Sequence, residues 1–395
     1  MRGRYLIRNR KWNLAFRAMD EALGLVFPKR GNPSLPRPVR SILLSNCAHL
    51  GDVLITTSLL PVLRKAFPEA RLGMLVGSWS LPGISGNPFL DRIHVADHWR
   101  GNRSPTSFRA RWKQWRETSG NAVREIREIG YEVAVDVYSY FPNLIPVLWR
   151  AGVEFRIGYD SGGFGPLLTH PVPFRQRGLH ESQYQAELLK LFGLPEEAFR
   201  EQRMVLPATS QQAEEEVRAL FPVRMEGAPY RILHMGTGGS PLRHWPEENW
   251  RVLATTLSGE GKHLLFTGLG KKEGDLVERV SAGLPLCINA CDRLSFGGFL
   301  AAIRGAELLY AVETVAGHIA AAAGTPCVSM YSGIHDFRRW RPDGKDCALL
   351  MSPVPCAPCY DKRGCTGMEC IRNVTPDEVI RNGERMLKRS GVAVR

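Results

Sequence analysis

The sequence predicts an α/β protein made of two domains, each with a parallel β-sheet covered by helices. Its 395 residues are too many for one ordinary α/β core and about right for two. Short apolar runs with strand character alternate with amphipathic helical runs, which is typical of parallel sheets covered on both faces. The alternation starts near residue 41 and again near residue 230, so we place a domain boundary near Pro207.

Composition and charge narrow the class of protein. Hydrophobic residues make up 44% and charged residues 23% of the chain, as in globular rather than disordered proteins. No apolar run approaches the ~18–20 residues that span a bilayer, and charged residues interrupt any signal-peptide core. We therefore expect a cytoplasmic protein. The net charge of +13 predicts an acidic partner: nucleic acid, an anionic membrane surface or a phosphorylated substrate.

Residues 1–40 are predicted to form an N-terminal extension, a basic amphipathic helix followed by a proline-rich linker. Apolar residues recur at spacings of three and four, which places them on one helical face: Trp12, Phe16, Met19, Leu23 and Val26. A basic helix with aromatic anchors lies on an anionic membrane surface or packs on its own protein's core. The sequence leaves both interpretations open.

The first domain, residues 41–206, carries a candidate catalytic carboxylate. Predicted elements are strands at 41–45, 72–76, 93–95 and 133–137, and helices at 53–66, 118–129 and 142–151. Gly51 and Asp52 follow the first strand, where ligands bind in open α/β sheets. Gly51 permits a tight turn. Asp52 either caps the next helix or accepts a proton from an acceptor hydroxyl.

A basic and aromatic stretch occupies residues 98–116 and includes Arg109, Arg111 and Lys113. Such a stretch grips a phosphorylated glycolipid or a nucleic-acid backbone, or it is a solvated helix face. Pattern alone does not choose between these interpretations.

The second domain, residues 207–375, is predicted to bind a phosphorylated ligand, and residues 376–395 form a predicted C-terminal helix. The predicted elements are strands at 230–235, 263–267, 307–312 and 327–331 and helices at 247–258, 273–281, 295–304 and 315–323. Thr237 and Gly238 lie in a glycine-rich loop whose backbone N–H groups can approach a phosphate. Arg243 follows, and its guanidinium can bind a diphosphate in bidentate fashion.

A third candidate site is the segment Glu313–His318, which follows the strand at 307–312. Thr314 is a predicted N-cap, and a diphosphate at this helix start would gain from unpaired N–H groups and the helix dipole. His318, one turn into the helix, donates a hydrogen bond to phosphate or packs in the core.

Four of the nine cysteines cluster near the end of the second domain: Cys356, Cys359, Cys365 and Cys370. Their C-x2-C-x5-C-x4-C spacing suits a structural zinc or iron site with four thiolates. Reduced thiols and a redox disulfide are the alternatives.

Together these motifs resemble glycosyltransferase family 9, the ADP-heptose:lipopolysaccharide heptosyltransferases. The segments that carry the resemblance are GDVLITTSLLPVLRKAFPEARLGMLV from Gly51, RIGYD from Arg156, HMGTGGSPLRHWPEENW from His234, VETVAGHIAAAAGTPCVSMY from Val312 and CAPCYDKRGCTGMECI from Cys356. The likeness runs from about residue 42 to residue 385.

The resemblance implies a GT-B fold, with two Rossmann-like domains facing each other across a cleft. It implies inverting transfer without a catalytic cofactor or metal, from a nucleotide sugar such as ADP-heptose. The acceptor would be a lipid-linked phosphorylated saccharide at the inner membrane surface, with the enzyme peripheral to it and no nucleic-acid partner. Asp52 matches the proposed general base, and Arg243 lies where the diphosphate departs. The implied donor site comprises Thr237, Gly238, Arg243, Glu313, Thr314, Gly317 and His318, and the expected acceptor site comprises Gly51, Arg109, Arg111 and Lys113.

One motif departs from the family pattern. The family commonly has Asp-Thr-Gly where this chain has Glu313, Thr314 and Val315. The extra methylene and the branched side chain predict a changed donor preference. They also leave open a member that glycosylates another saccharide, a metabolite or a protein, and a catalytically silent binding homologue.

Overall fold

The computed structural model describes residues 5–6, 9–27, 33–200, 202–222, 227–238, 240–361 and 363–391. The chain divides into two compact units, Met1–Pro207 and Ala208–Arg395. Within the described residues each unit contains one six-stranded, entirely parallel sheet. The predicted α/β class is confirmed.

In unit 1 the strand order is β3-β2-β1-β4-β5-β6. The strands are β1 (Ser41–Asn46), β2 (Arg71–Val76), β3 (Arg92–Val95), β4 (Val133–Asp136), β5 (Phe155–Tyr159) and β6 (His170–Val172). Every residue of β1 and β4 is buried, because helices cover both faces of the sheet. Ile42 and Leu44 pack on one face with Leu60, whereas Leu43 packs on the other with Val123.

The helices of unit 1 differ from prediction in two places. They are α1 (Arg10–Val26), α2 (Leu50–Thr56), α3 (Leu59–Ala66), α4 (Phe108–Ile129), α5 (Ile145–Arg150) and α6 (Glu181–Leu189). The single helix predicted at 53–66 is broken, because the hydroxyls of Thr57 and Ser58 donate to helix carbonyls at 2.6 and 2.7 Å. Helix α4 begins at Phe108 rather than at residue 118, since the Ser107 hydroxyl caps it by accepting the Ala110 N–H.

Helix α1 packs on unit 1 through Phe16. The Phe16 ring is buried and lies 4.9 Å, centroid to centroid, from the ring of Phe141. Gly163 makes this contact possible, because a Cβ added there would overlap the Phe16 ring. The predicted single apolar face of α1 is therefore divided, with Phe16 buried while Trp12 and Val26 remain exposed.

A buried carboxylate fixes the same helix. Asp20 is only 3% exposed. It accepts a hydrogen bond of 2.9 Å from the Tyr5 hydroxyl and one of 2.8 Å from the Phe164 N–H. Of the two interpretations left open by the sequence, packing on its own protein accounts for this face of α1.

In unit 2 the strand order is β12-β11-β10-β7-β8-β9. The strands are β7 (Tyr230–His234), β8 (His263–Thr267), β9 (Cys287–Asn289), β10 (Leu308–Val312), β11 (Cys327–Met330) and β12 (Cys347–Leu350). The helices are α7 (Gln211–Arg218), α8 (Glu247–Gly259), α9 (Lys271–Ser281), α10 (Phe296–Gly305), α11 (Val315–Ala323), α12 (Phe337–Trp340), α13 (Glu369–Arg372) and α14 (Pro376–Ser390).

Two tryptophans lie in the hydrophobic core of unit 2. Trp245 and Trp250 are buried with ring centroids 5.0 Å apart, and the Trp245 indole N–H donates to the Val374 carbonyl at 2.8 Å. Helix α14 completes this core through Val379 and Leu387. No helix in the described part of the chain is both long and apolar enough to cross a bilayer.

Candidate active site

The topology of each sheet places two βα loops side by side at its carboxyl edge. In unit 1 the first strand, β1, lies between β2 and β4, and in unit 2 the equivalent strand, β7, lies between β8 and β10. The chain leaves in opposite directions from such neighbours, which opens a crevice where ligands bind in open α/β sheets. The loops after β1 and β4, and after β7 and β10, are therefore the candidate sites.

In unit 1 the site is built around Asp52. Asp52 is the third residue of α2, whose N-cap is His49, so Asp52 lies in the first turn but is not the capping residue. Asn46, the buried last residue of β1, donates to the Thr56 hydroxyl at 2.9 Å, and Thr56 donates to the Asp52 carbonyl at 3.1 Å. These bonds fix the first turn of α2. Gly51 and Asp52 remain half-buried at the carboxyl edge of the sheet.

The loop after β4 surrounds this carboxylate. Burial raises the pKa of Tyr138 well above its usual value, and the negative charge of Asp52 raises it further. The negative charge of Glu181 in α6 has the same effect, so two carboxylates act on one half-buried tyrosine. Sequence reasoning missed Tyr138 and Glu181, because long-range packing alone brings Asp52 and Glu181 near Tyr138.

A second carboxylate lies behind the site. Asp136 ends β4, and its Oδ2 accepts hydrogen bonds of 2.9 Å from the Ser45 hydroxyl and from the Leu144 N–H. Burial raises the pKa of Asp136 to about 7. Sequence reasoning missed Asp136 too, although a carboxylate at the end of the buried run Val-Ala-Val-Asp was an available signal.

In unit 2 the glycine-rich loop after β7 is held by Glu273 of α9. Its carboxylate accepts the Thr237 N–H at 3.2 Å and the Leu269 N–H at 2.8 Å. Gly236 is needed for this approach, since a Cβ there would overlap the Glu273 carboxylate. The Thr237 N–H, expected to face a phosphate, is therefore committed to Glu273, a residue that sequence reasoning missed.

The remaining groups of the loop point to a polar site. The Thr237 hydroxyl lies 3.4 Å from Nε2 of His244. Gly238 adopts a left-handed conformation with φ of 58° and is exposed.

Arg243 is held by Glu313, which joins the loops after β7 and β10. Arg243 Nη2 lies 3.2 Å from Glu313 Oε1, and Nη1 donates to the Glu313 carbonyl at 3.3 Å. His335 Nδ1 lies 3.8 Å from the same Glu313 oxygen. The Arg243 side chain is 27% exposed and that of Glu313 is 9% exposed. The pair therefore fixes a guanidinium whose surface still reaches solvent. Sequence reasoning missed His335.

Helix α11 presents its N-terminus at the same edge. Thr314 is the N-cap residue in extended conformation, and its buried hydroxyl oxygen makes no hydrogen bond within the described part of the chain. The first-turn N–H groups and the helix dipole favour an anion here. His318 is buried one turn further in. Gly317 has a packing role, because a Cβ there would lie 2.9 Å from Ser329 Oγ.

The three basic residues predicted to bind acceptor do not share one face. Arg109 and Lys113 are exposed and four residues apart on α4, so they are neighbours. Arg111 faces the other way and donates to the Asn102 carbonyl at 3.2 Å. It stabilises the preceding loop instead.

The structure does not bring the four clustered cysteines together as a metal site. Among the residues that the structure describes, no three His, Cys, Asp or Glu side chains are placed to hold a metal ion. Cys370 is buried in α13, whereas Cys356 and Cys365 are exposed, and Cys365 Sγ accepts the Met368 N–H at 3.3 Å. The possible structural zinc or iron site at these cysteines therefore stays a prediction.

Comparison with known proteins identifies the family of this chain. The profile of glycosyltransferase family 9 (heptosyltransferase) matches residues 122–368. Lipopolysaccharide heptosyltransferase 1 of Pseudomonas aeruginosa is 26% identical over 339 residues, which cover 82% of this chain and 87% of the relative.

Solved structures agree in fold. A glycosyltransferase of family 9 from Veillonella parvula has a TM-score of 0.71 at 18% identity, covering 89% of this chain and 97% of its own. The ADP-heptose lipopolysaccharide heptosyltransferase II of Escherichia coli has a TM-score of 0.68 at 17% identity, covering 89% and 100%. The predicted GT-B fold is confirmed.

Proposed function

Because the chain belongs to glycosyltransferase family 9, the heptosyltransferases, we propose that it transfers heptose from ADP-heptose to a hydroxyl of a lipopolysaccharide core or related glycolipid. The observation that carries this proposal is the family match over residues 122–368, which includes Arg243, Glu313 and the start of α11. The names of the P. aeruginosa relative and the E. coli neighbour support heptose as the sugar and ADP-heptose as its donor.

The donor diphosphate binds at the carboxyl edge of the sheet in unit 2. Arg243 supplies a fixed cation, and the Thr314 hydroxyl and the first-turn N–H groups of α11 supply hydrogen-bond donors. Charge-assisted bonds of this kind strengthen as negative charge develops on the diphosphate when the sugar leaves. Glu313 acts as a positioning residue, because it holds the guanidinium that would contact phosphate.

Asp52 is the proposed general base in unit 1. It removes the proton from the acceptor hydroxyl as that oxygen bonds to the anomeric carbon of heptose. The bond from this carbon to the diphosphate breaks at the same time, and its electron pair leaves with ADP. Configuration inverts in this single displacement.

The acceptor carries negative charge, which suits the surface of α4. Arg109 and Lys113 present two exposed cations on one face of that helix. Phosphate groups on a lipopolysaccharide core would be attracted there, with an affinity that salt weakens.

Asp52→Asn tests the proposal. Titration calorimetry with ADP-heptose should give the wild-type affinity, because Asp52 contacts the acceptor rather than the donor. Transfer of heptose to heptose-deficient lipopolysaccharide should fall by about 10²–10⁴-fold. Transfer at the wild-type rate by this variant would refute the role of Asp52.

Val315 favours a second candidate within the same family. Val315, which has a branched side chain, is the first residue of α11, at a position where the family commonly has glycine. A panel of ADP-, UDP- and GDP-sugars distinguishes the candidates. Binding of a different nucleotide sugar, but not ADP-heptose, would keep the mechanism and change the substrate. Binding of none would favour a silent homologue.

A further inference from the structure

Helix α1 is apolar on two opposite faces, and only one of them packs on unit 1. The outward face, called here the docking face, consists of Leu14, Ala15, Ala18, Ala22, Leu25 and Val26, all exposed. Leu14 is 58%, Leu25 86% and Val26 68% exposed. Contiguous exposed apolar side chains along one helix face mark an interaction surface rather than isolated surface residues.

The opposite face of α1 holds the docking face outward. Phe16 and Asp20 bind the helix to unit 1, and Phe27 continues the contact by packing on Trp149 with ring centroids 5.2 Å apart. Exposure of the docking face is therefore a property of the folded unit, not of a helix end that has come loose.

Positive charge borders the first half of the docking face. Arg10, Lys11 and Arg17 are exposed on α1, and Glu21 is the one exposed acidic residue on this described helix. The Arg100 guanidinium lies 5.7 Å from the centre of the exposed Trp12 ring. Apolar side chains beside cations and an interfacial tryptophan are the pattern of a helix that lies in a bilayer interface.

Exposed aromatic rings extend this surface along α4. Phe108 and Trp112 are 54% and 43% exposed. Both contact Trp99, the residue next to Arg100, at centroid distances of 5.4 and 6.2 Å. The aromatic rings and the neighbouring cations together suit lipid headgroups above an acyl layer.

We propose that the docking face binds unit 1 to an anionic phospholipid bilayer, with α1 lying parallel to the membrane plane. A bilayer fits better than a second copy of this chain, because two faces bordered by arginine and lysine would repel each other. The chain's net charge of +13 also favours an anionic surface. The inference rests on the proposed function only in that a lipid-linked acceptor would be met at such a surface.

The packed face of α1 and the candidate base are next to the same loop. Phe141, in the loop after β4, packs under Phe16 of α1. Tyr138 is in the same loop, and the charge of Asp52 raises its pKa. A bilayer bound to α1 would thus bring lipid headgroups near the carboxyl edge of the sheet in unit 1, where an acceptor hydroxyl is needed.

Flotation of the full chain with vesicles tests the inference without any nucleotide sugar. Two vesicle preparations are compared. One is an anionic mixture of phosphatidylethanolamine and phosphatidylglycerol, and the other is pure phosphatidylcholine. We expect binding to the anionic vesicles, weaker binding at high salt and little binding to phosphatidylcholine. Leu14→Gln/Leu25→Gln should lower the partition coefficient at least about tenfold, and Lys11→Gln about fivefold.

A matched control uses exposed apolar residues elsewhere. Leu191 and Val252 are 41% and 49% exposed outside α1 and α4, so Leu191→Gln/Val252→Gln should bind vesicles like the wild type. Equal vesicle binding by both double variants would overturn the inference. So would absent vesicle binding together with a dimer that Leu14→Gln/Leu25→Gln dissociates in sedimentation. ADP-heptose affinity should be the same in all variants, so failure here leaves the proposed activity standing.

Discussion

Arg243→Ala removes the cation that the structure places at the proposed diphosphate site. In the folded protein its guanidinium makes two contacts with Glu313, one to the side chain at 3.2 Å and one to the carbonyl at 3.3 Å. The same side chain is 27% exposed, so a ligand can still reach it. The substitution should therefore weaken both donor binding and folding.

The size of each effect follows from this geometry. A net charge-assisted hydrogen bond contributes about 1.5–3 kcal/mol, so loss of one to the diphosphate weakens ADP-heptose binding about 10- to 150-fold. Two opposite charges at 3.2 Å attract by about 5 kcal/mol in an effective dielectric of 20. Desolvation offsets most of that attraction, and we expect a loss of about 1–3 kcal/mol in the free energy of unfolding.

Calorimetry with ADP-heptose and urea unfolding measure the two effects separately. Arg251→Ala is the matched control, because Arg251 donates to the carbonyls of Val280 and Ala282 at the far side of α8. That control should lose stability while it keeps donor affinity. Arg243→Lys should bind donor with intermediate affinity, since it keeps the charge but not the bidentate geometry. Wild-type donor affinity in Arg243→Ala would refute the diphosphate role.

Three further substitutions test the packing that supports the sites. Burial raises the pKa of Asp136 to about 7. Its protonated form therefore favours the folded state, and the free energy of unfolding should fall by about 4 kcal/mol as the pH rises from about 4 to 7. Urea unfolding of Asp136→Asn across that range should lack this loss, and equal slopes in both proteins would contradict it. Gly163→Ala should destabilise unit 1 more than Gly152→Ala, because both glycines have positive φ but only Gly163 is overlapped by a ring; equal unfolding midpoints would contradict the contact. Gly236→Ala should weaken ADP-heptose binding, because the new methyl group would displace the Glu273 carboxylate that holds the glycine-rich loop. Gly259→Ala, whose methyl group would meet no other atom, should leave binding unchanged.

The sequence predicted the central strands and the candidate loops because local patterns encode them. Strands such as β1, β4 and β10 are continuous apolar runs, as expected where helices cover both faces. Asp52, Arg243 and Thr314 lie in the segments that follow β1, β7 and β10, so their place near the carboxyl edge follows from topology. The short edge strands β9 and β12 carry too few residues for their periodicity to stand out.

Contacts between distant segments were beyond prediction. Nothing local in the sequence indicates that Glu273 holds the glycine-rich loop or that Glu313 holds Arg243. Helix α1 is a further example, since periodicity predicted its apolar positions but not which of these side chains unit 1 would bury. Likewise Arg111 was grouped with Arg109 by composition, although helical geometry places them on different faces.

Transfer of heptose to lipopolysaccharide is the activity proposed for this chain, and it can be measured on purified protein. The purified full chain is mixed with ADP-heptose and heptose-deficient lipopolysaccharide, and the lipid product is weighed by mass spectrometry. We expect wild-type protein to add one heptosyl residue and release ADP, and we expect Asp52→Asn to lose that product. A wild-type sample that binds ADP-heptose but adds no heptose to this acceptor would contradict the proposed acceptor. A folded sample that binds no nucleotide sugar would contradict the proposed enzyme itself.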